Sequence, residues 1–351
     1  MIYFDNAATA PVLPCAWDAM KSAPEGNPSS SHAAGREAKA ALERSRAIIA
    51  QCLNCDPGEV YFTSGATESC NWMVKILCGT ADSRHRSVMA SPFEHHAVTA
   101  AAGQYSAFKH TKLDRVQMLV NNETGQIYDI KKIRGNGGLL ACDMTAAVGH
   151  LPIDFHALGA DYMAFGGHKF GAPKGIGALI VREGCPITPL LHGGAQERGM
   201  RGGTVSVPLV SSMAAALTWR SLHMEENEKN IRAVAQELII SLGCHRVDFD
   251  INLPDGKSSK DCAPHILSIR FPGVYGAALA AALSDHGVMV STGSACSSGD
   301  NAPSTNLMAS GLTEQEALET IRFSFDWYNT TAEASEAAGI IADLVPSLRR
   351  G

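Results

Sequence analysis

Short apolar runs that alternate with helix-patterned segments constrain this chain more than any other feature. Glu59–Thr63, Val88–Ala90, Leu139–Cys142, Asp161–Phe165 and Gly177–Arg182 each read as a strand, and Ala, Leu and Ile at helical spacing mark a long helix from His32 to about Leu53. Such alternation predicts an α/β fold with a mostly parallel central sheet, because parallel neighbours need a crossover between them. Every run but the last ends in a polar cluster, which is where open α/β sheets present ligands. One of these ends, Ser64-Gly65-Ala66-Thr67, turns into a helix that begins near Glu68.

Beyond about Glu225 the pattern changes. A helix over 226–243, a polar loop at Asp255–Lys260, strands at His265–Phe271, Val288–Val290 and 321–325, and helices at Gly276–Ser284, 313–320 and from 331 read as a smaller α+β domain. A length of 351 residues accommodates two such domains.

Bulk properties exclude several classes. A formal charge of -6 leaves no basic surplus to neutralise phosphates, which argues against a nucleic-acid binder. No apolar run is long enough to span a bilayer, and Met1–Asn6 has no signal-peptide pattern, so the cytoplasm is the expected location. The ten cysteines are scattered and read as reduced thiols; the lone Cys52-x-x-Cys55 lacks the second pair that a zinc site requires. No metal is expected. Adjacent histidines on a strand point to opposite faces, so at most one of His95 and His96 can face a site.

The strongest local signal is Phe165-Gly166-Gly167-His168-Lys169-Phe170-Gly171. A lysine just past a strand, in a glycine-rich turn beside a histidine, suits an amine that forms a Schiff base, although a solvated loop lysine has the same local sequence. Ser64-Gly65-Ala66-Thr67 offers backbone amides and a hydroxyl to a phosphate, or merely caps a helix. Asp143 closes a strand, where a carboxylate pairs with a pyridinium nitrogen or simply makes a turn. Cys296 lies in Ser291-Thr292-Gly293-Ser294-Ala295-Cys296-Ser297-Ser298-Gly299, a setting unlike an apolar core and suited to a thiol that moves.

Taken in order, Phe4–Thr9, Gly26–Ser30, Phe62–Glu68, Glu94–Val98, Val120–Gly125, Gly167–Lys169, His192–Gly194, Gln196–Arg201, Gly203-Thr204, Ser294–Ser297 and Ile321–Ser324 make the chain resemble the cysteine desulfurases of the class-V aminotransferase group over nearly its whole length. The resemblance implies a pyridoxal-phosphate (PLP) dependent transferase fold of type I. Its large cofactor-binding domain would span 15–225, and its small domain, 1–14 and 226–351, would carry the catalytic cysteine. It also implies roles. Lys169 would hold PLP as a Schiff base and move the substrate proton, His95 would stack on the ring, and Asp143 would face the ring nitrogen. Asn122 would bond the phenolic oxygen. Ala66, Thr67 and His168 would hold the phosphate, reached also by Thr204 from the other subunit of a homodimer. Asn6 and Arg322 would grip the substrate carboxylate, and Cys296 would take sulfur from L-cysteine for an acceptor such as an iron–sulfur scaffold protein.

Three positions depart from the family pattern: Ala146 replaces a glutamine, Gly166 a serine and Gly202 a serine. Each hydrogen bond lost to a charged group is worth on the order of 1.5–3 kcal/mol, so two losses would weaken PLP binding by roughly two orders of magnitude unless a neighbour substitutes. The stretch between His95 and Asn122 is shortened and retains little of a strand and helix. A selenocysteine lyase, an aminotransferase-like enzyme, or a non-catalytic paralogue that binds PLP weakly are the alternative readings.

Overall fold

The computed structural model describes residues 1–79, 86–104, 112–134, 138–253, 258–292 and 302–349. Its strands are β1 (Ile2–Tyr3), β2 (Val60–Thr63), β3 (Arg86–Ala90), β4 (Lys112–Val116), β5 (Leu140–Asp143), β6 (Tyr162–Gly166), β7 (Gly177–Val181), β8 (Asp250–Ile251), β9 (Ile266–Arg270), β10 (Val288–Met289) and β11 (Thr320–Ser324). Contacts divide the chain into two compact units. One comprises Met1–Ala10, Val120–Ile127 and His223–Gly351; the other comprises Pro11–Leu119 and Tyr128–Leu222. The span expected as one large domain is thus interrupted by the short hairpin Val120–Ile127.

The larger unit is built on a six-stranded sheet of order β2-β7-β6-β5-β4-β3. Its β3, β4, β5 and β6 run parallel, while β7 is antiparallel to both of its neighbours. Strands β2, β5, β6 and β7 are buried at every residue, as expected of a sheet covered on both faces. Trp72, Met73, Ile76 and Leu77 of the helix Ala66–Gly79 pack with Tyr61, Tyr162, Ala164 and Leu179 in one core cluster. That helix begins two residues before the sequence-based start at Glu68.

The helix Ala33–Leu53 starts where His32 Nδ1 accepts the Gly35 amide at 3.3 Å, and ends at Asn54 in the left-handed region. Its Arg46 makes a two-pronged ion pair with Glu197, at 2.9 and 2.7 Å, and Glu197 also accepts the Phe62 amide at 2.8 Å. Both side chains are buried, so this pair fastens the segment preceding Thr204 to the start of the sheet.

Strand β4 and the helix His96–Gly103 correct the sequence reading of the segment after His95, which retains both elements. Strand β4, Lys112-Leu113-Asp114-Arg115-Val116, lacks the apolar run that marks the other strands because three of its five residues are charged. Asp114 is nevertheless fully buried and accepts the Leu139 amide at 2.7 Å.

The smaller unit has a three-stranded antiparallel sheet, β11-β9-β8, and a parallel pair, β1-β10. Helices Met224–Cys244, Gly276–Asp285 and Thr331–Leu348 supply most of its core, with Phe4, Phe271, Phe323 and Phe325 buried among them. Among the described residues, no helix is long and apolar enough to cross a membrane.

Candidate active site

In the larger unit, Lys169 occupies a single 3-10 turn, Gly167–Lys169, immediately after β6. Its backbone is held by several elements. His150 Nε2 lies 3.0 Å from the Lys169 carbonyl oxygen, Arg220 Nε donates to the Phe170 carbonyl at 2.9 Å, and the Leu13 amide donates to the Gly171 carbonyl at 2.9 Å. Burial pushes the His150 imidazole down to about 3, with the Arg220 charge adding to the effect. The ring is therefore neutral near pH 7, and the nitrogen facing a carbonyl must carry the proton. Gly171 is required here: its φ is +94°, and a Cβ would stand 2.7 Å from Leu13 Cγ.

The charges of Asp143 and Lys169 both act on His95. Burial lowers the His95 pKa, Asp143 opposes that shift, and Lys169 and His96 add to it. His95 is not on a strand, as the sequence reading has it. It caps the helix His96–Gly103, its Nδ1 accepting the Ala97 amide at 3.1 Å, so Nε2 bears the proton of the neutral ring. His95 is half-buried and His96 exposed. Asp143 ends β5, is 6% exposed, and accepts the Thr145 amide at 2.9 Å. Burial also pushes the His168 imidazole down to about 4, helped by Lys169 and Lys174.

Ala66 and Thr67 open the helix Ala66–Gly79, whose first-turn amides have no partner within the helix. A Cβ on Gly177 would fall 2.6 Å from the Phe165 carbonyl oxygen and 2.7 Å from Gly65 Cα, and one on Gly166 would fall 3.0 Å from the Ala66 nitrogen. Backbone therefore packs on backbone where the family places a serine at 166, beside the first-turn amides of the helix Ala66–Gly79. Glu68 stabilises the same turn: it accepts the Ser64 amide at 2.7 Å and pairs with Arg201 at 2.8 Å. Although burial pushes its carboxyl up, those bonds hold it below the usual range. At Gly202 a Cβ would meet Gly193 Cα at 2.9 Å, which accounts for glycine in that position. Thr204, two residues on, is exposed.

These groups fit pyridoxal phosphate. A buried carboxylate, neutral imidazoles, free helix amides and a lysine on an immobilised turn match its ring nitrogen, ring face, phosphate and aldehyde respectively. Thr145 Oγ1, two residues past Asp143, is buried with no hydrogen-bond partner among the described residues, as a group awaiting a ligand would be.

The remaining expected residues fall in the smaller unit. Arg322, on β11, is 4% exposed; its Nη1 donates to the Asn122 carbonyl and its Nη2 to Asp5 Oδ1, both at 2.9 Å. Arg322 Nε is buried with no partner among the described residues. Asp5, which the sequence alone marks only as part of a matched block, is thus the counter-ion of this arginine. The Asn6 side chain does not fit the role of substrate grip. Its amide nitrogen lies within 3.2 Å of the Tyr3 and Ser324 carbonyls and of Asn329 Oδ1, and its oxygen accepts the Tyr328 hydroxyl at 2.6 Å, so both amide hydrogens are engaged. Cys296 lies outside the described residues.

The family model of the class-V aminotransferases matches residues 2–119 and 110–336. The chain is 32% identical to a cysteine desulfurase IscS of Methanosarcina thermophila, covering 99% of this chain and 93% of the relative. It is 34% identical to an IscS-like cysteine desulfurase of Mycobacterium tuberculosis over 100% and 98% of the two chains. The chain belongs to the cysteine desulfurase family. Among solved structures, a NifS-like protein superposes on this desulfurase-family chain with a TM-score of 0.89 at 30% identity, covering 99% of this chain and 100% of the other. A structure described as SspA in complex with cysteine superposes with a TM-score of 0.78, also at 30% identity, over 94% and 100% of the chains. The PLP-dependent transferase fold is thereby established for this family member.

Proposed function

We propose that this protein is a PLP-dependent cysteine desulfurase that converts L-cysteine and the Cys296 thiol into L-alanine and a Cys296 persulfide, whose outer sulfur then passes to an acceptor protein. The observation that carries this reading is the placement of His95, Asp143 and Lys169 in one unit, with both charges acting on His95, in a chain related to cysteine desulfurases over its full length.

When bound, pyridoxal phosphate supplies an electron sink for the carbon atoms of the amino-acid substrate. The chain's residues do the rest. Lys169 Nζ holds the cofactor and relays the substrate proton, on a turn that His150 and Arg220 keep still. The neutral His95 ring, with its proton on Nε2, would pack on the ring of the bound group, and Asp143 would hold the proton of its ring nitrogen. Asn122 bonds the phenolic oxygen. Ala66, Thr67 and His168 bind the phosphate, with Thr204 of the partner subunit in a homodimer. Arg322 binds the substrate carboxylate with the guanidinium hydrogens that its bonds to the Asn122 carbonyl and Asp5 leave over, while Asn6 shapes the turn that carries Asp5.

Incubation with L-cysteine and PLP should yield alanine and sulfane sulfur in equal amounts. With an added dithiol to reduce the persulfide and release its outer sulfur as sulfide, a Cys296→Ala variant should lose at least about 99% of sulfide production, as removal of a covalent nucleophile does. Full-rate desulfuration by that variant would remove Cys296 from the reaction.

A further inference from the structure

Beyond Val116 the chain of β4 continues alongside β5. Arg115, Gln117 and Leu119 donate their amides to the carbonyls of Leu139, Ala141 and Asp143 at 2.9, 3.0 and 3.0 Å. Backbone amides of an extended chain alternate between its two edges, so the Met118 amide faces the β3 side. The chain of β3 turns away there. Its Ser91 amide bonds the Val116 carbonyl at 3.0 Å, Pro92 has no amide hydrogen, and the Glu94 amide closes a turn on the Ser91 carbonyl at 3.2 Å. Met118 is 2% exposed, and a buried amide needs a partner. Glu94 supplies it, its Oε1 accepting the Met118 amide.

A side-chain carboxyl thus takes the place of a strand at this level of the sheet. Glu94 is 7% exposed and is followed directly by His95, which caps the helix His96–Gly103. On the other side of the bond, Leu119 follows Met118 and holds the carbonyl of Asp143. Glu94 therefore ties the segment carrying His95 to the segment that holds Asp143. Its other oxygen, Oε2, is buried with no hydrogen-bond partner among the described residues. An apolar side chain would fill the space without that cost, but could not accept the Met118 amide. Burial, with the Asp143 charge adding to it, pushes the Glu94 carboxyl well up, beyond what the Met118 amide takes back. The neutral acid is thereby favoured, and its oxygen can accept an amide as that of a glutamine would.

We propose that Glu94 is a positioning residue for the cofactor ring: by standing in for a strand at Met118, it sets the spacing of His95 and Asp143. This rests on the reading that His95 and Asp143 receive the ring of pyridoxal phosphate.

The test compares Glu94→Ala, Glu94→Leu and Glu94→Gln with the unmutated protein, each titrated with PLP and followed by visible circular dichroism. The titration gives the dissociation constant, and the ellipticity per bound cofactor reports how the ring is set. Glu94→Ala and Glu94→Leu should raise the dissociation constant about tenfold, the scale of one lost buried hydrogen bond. They should also lose at least about half of the ellipticity per bound cofactor, as a site with a loosened support does. Glu94→Gln, which keeps the acceptor oxygen, should stay within about twofold of the unmutated protein in both. Hydrogen exchange decides the matter even if the two apolar variants do not fold: the Met118 amide should be as protected as those of Gln117 and Leu119, in the unmutated protein and in Glu94→Gln. A Met118 amide that exchanges like an unbonded one would overturn the inference. So would a folded Ala or Leu variant that loses thermal stability but binds PLP with unchanged affinity and ellipticity, since that marks a merely structural role. If borohydride reduction of the unmutated protein leaves Lys169 without PLP, the reading of the site is what has failed, and the positioning role falls with it.

Discussion

At the scale of single residues, the chemistry depends on how firmly Lys169 is presented, and His150 is its most testable support. Its imidazole pKa lies near 3 because burial disfavours the charged ring, whereas an unfolded histidine titrates near 6.5. The unfolded chain therefore binds more protons here between these values. The contribution to stability is complete above pH 6.5 and is lost as pH falls towards 3, at up to about 1.4 kcal/mol per pH unit. His150→Gln keeps a donor but cannot titrate, so its unfolding free energy should fall less steeply than that of the unmutated protein between pH 6.5 and 4. Parallel pH profiles from urea unfolding would show that His150 is not buried as a neutral ring. Such residues are hard to recognise from sequence. The chemistry of Lys169, Asp143 and Arg322 is written in their side chains and motifs, whereas the roles of His150 and Asp5 arise only from the partners that folding brings to them. Asn6 shows the converse: a motif position whose side chain the fold commits to Tyr3, Ser324, Tyr328 and Asn329.

At the scale of elements, legibility followed the strength of the burial pattern. Strands β2, β5, β6 and β7 are buried along their whole length and stand out as apolar runs. Long helices with small and aliphatic residues at a period near 3.6, such as Ala33–Leu53 and Thr331–Leu348, were equally plain. Strand β4 was hidden by its charged residues, one of which, Asp114, is buried against the Leu139 amide. The strand-like reading of His95–His96 gave way to a helix start because His95 supplies the cap itself. The hairpin Val120–Ile127 has a turn signal in Gly125, at φ +75°, but nothing in its own sequence assigns it to the unit containing β9 and β11 rather than to the one on either side of it in the chain.

At the scale of the whole molecule, the proposed homodimer makes a prediction of its own. If Thr204 of the partner subunit completes each phosphate site, mixed dimers of one Lys169→Ala chain and one Thr204→Val chain hold one fully intact site. They should show about half the activity of the unmutated dimer, above the level of either parent, as independent sites add. Were Thr204 to act within its own chain, both sites would be damaged and no such recovery would appear. Of the three departures from the family pattern, Gly166 and Gly202 stand where close backbone packing takes the space of a side chain. The account as a whole stands on Lys169 being the residue that carries the cofactor. The direct measurement is borohydride reduction of the PLP-treated protein followed by proteolysis and mass mapping. The peptide containing Lys169 should carry one phosphopyridoxyl group, and that group should be absent from Lys169→Ala. A peptide left unmodified at Lys169 in the unmutated protein, or a label found on another lysine instead, would contradict the account.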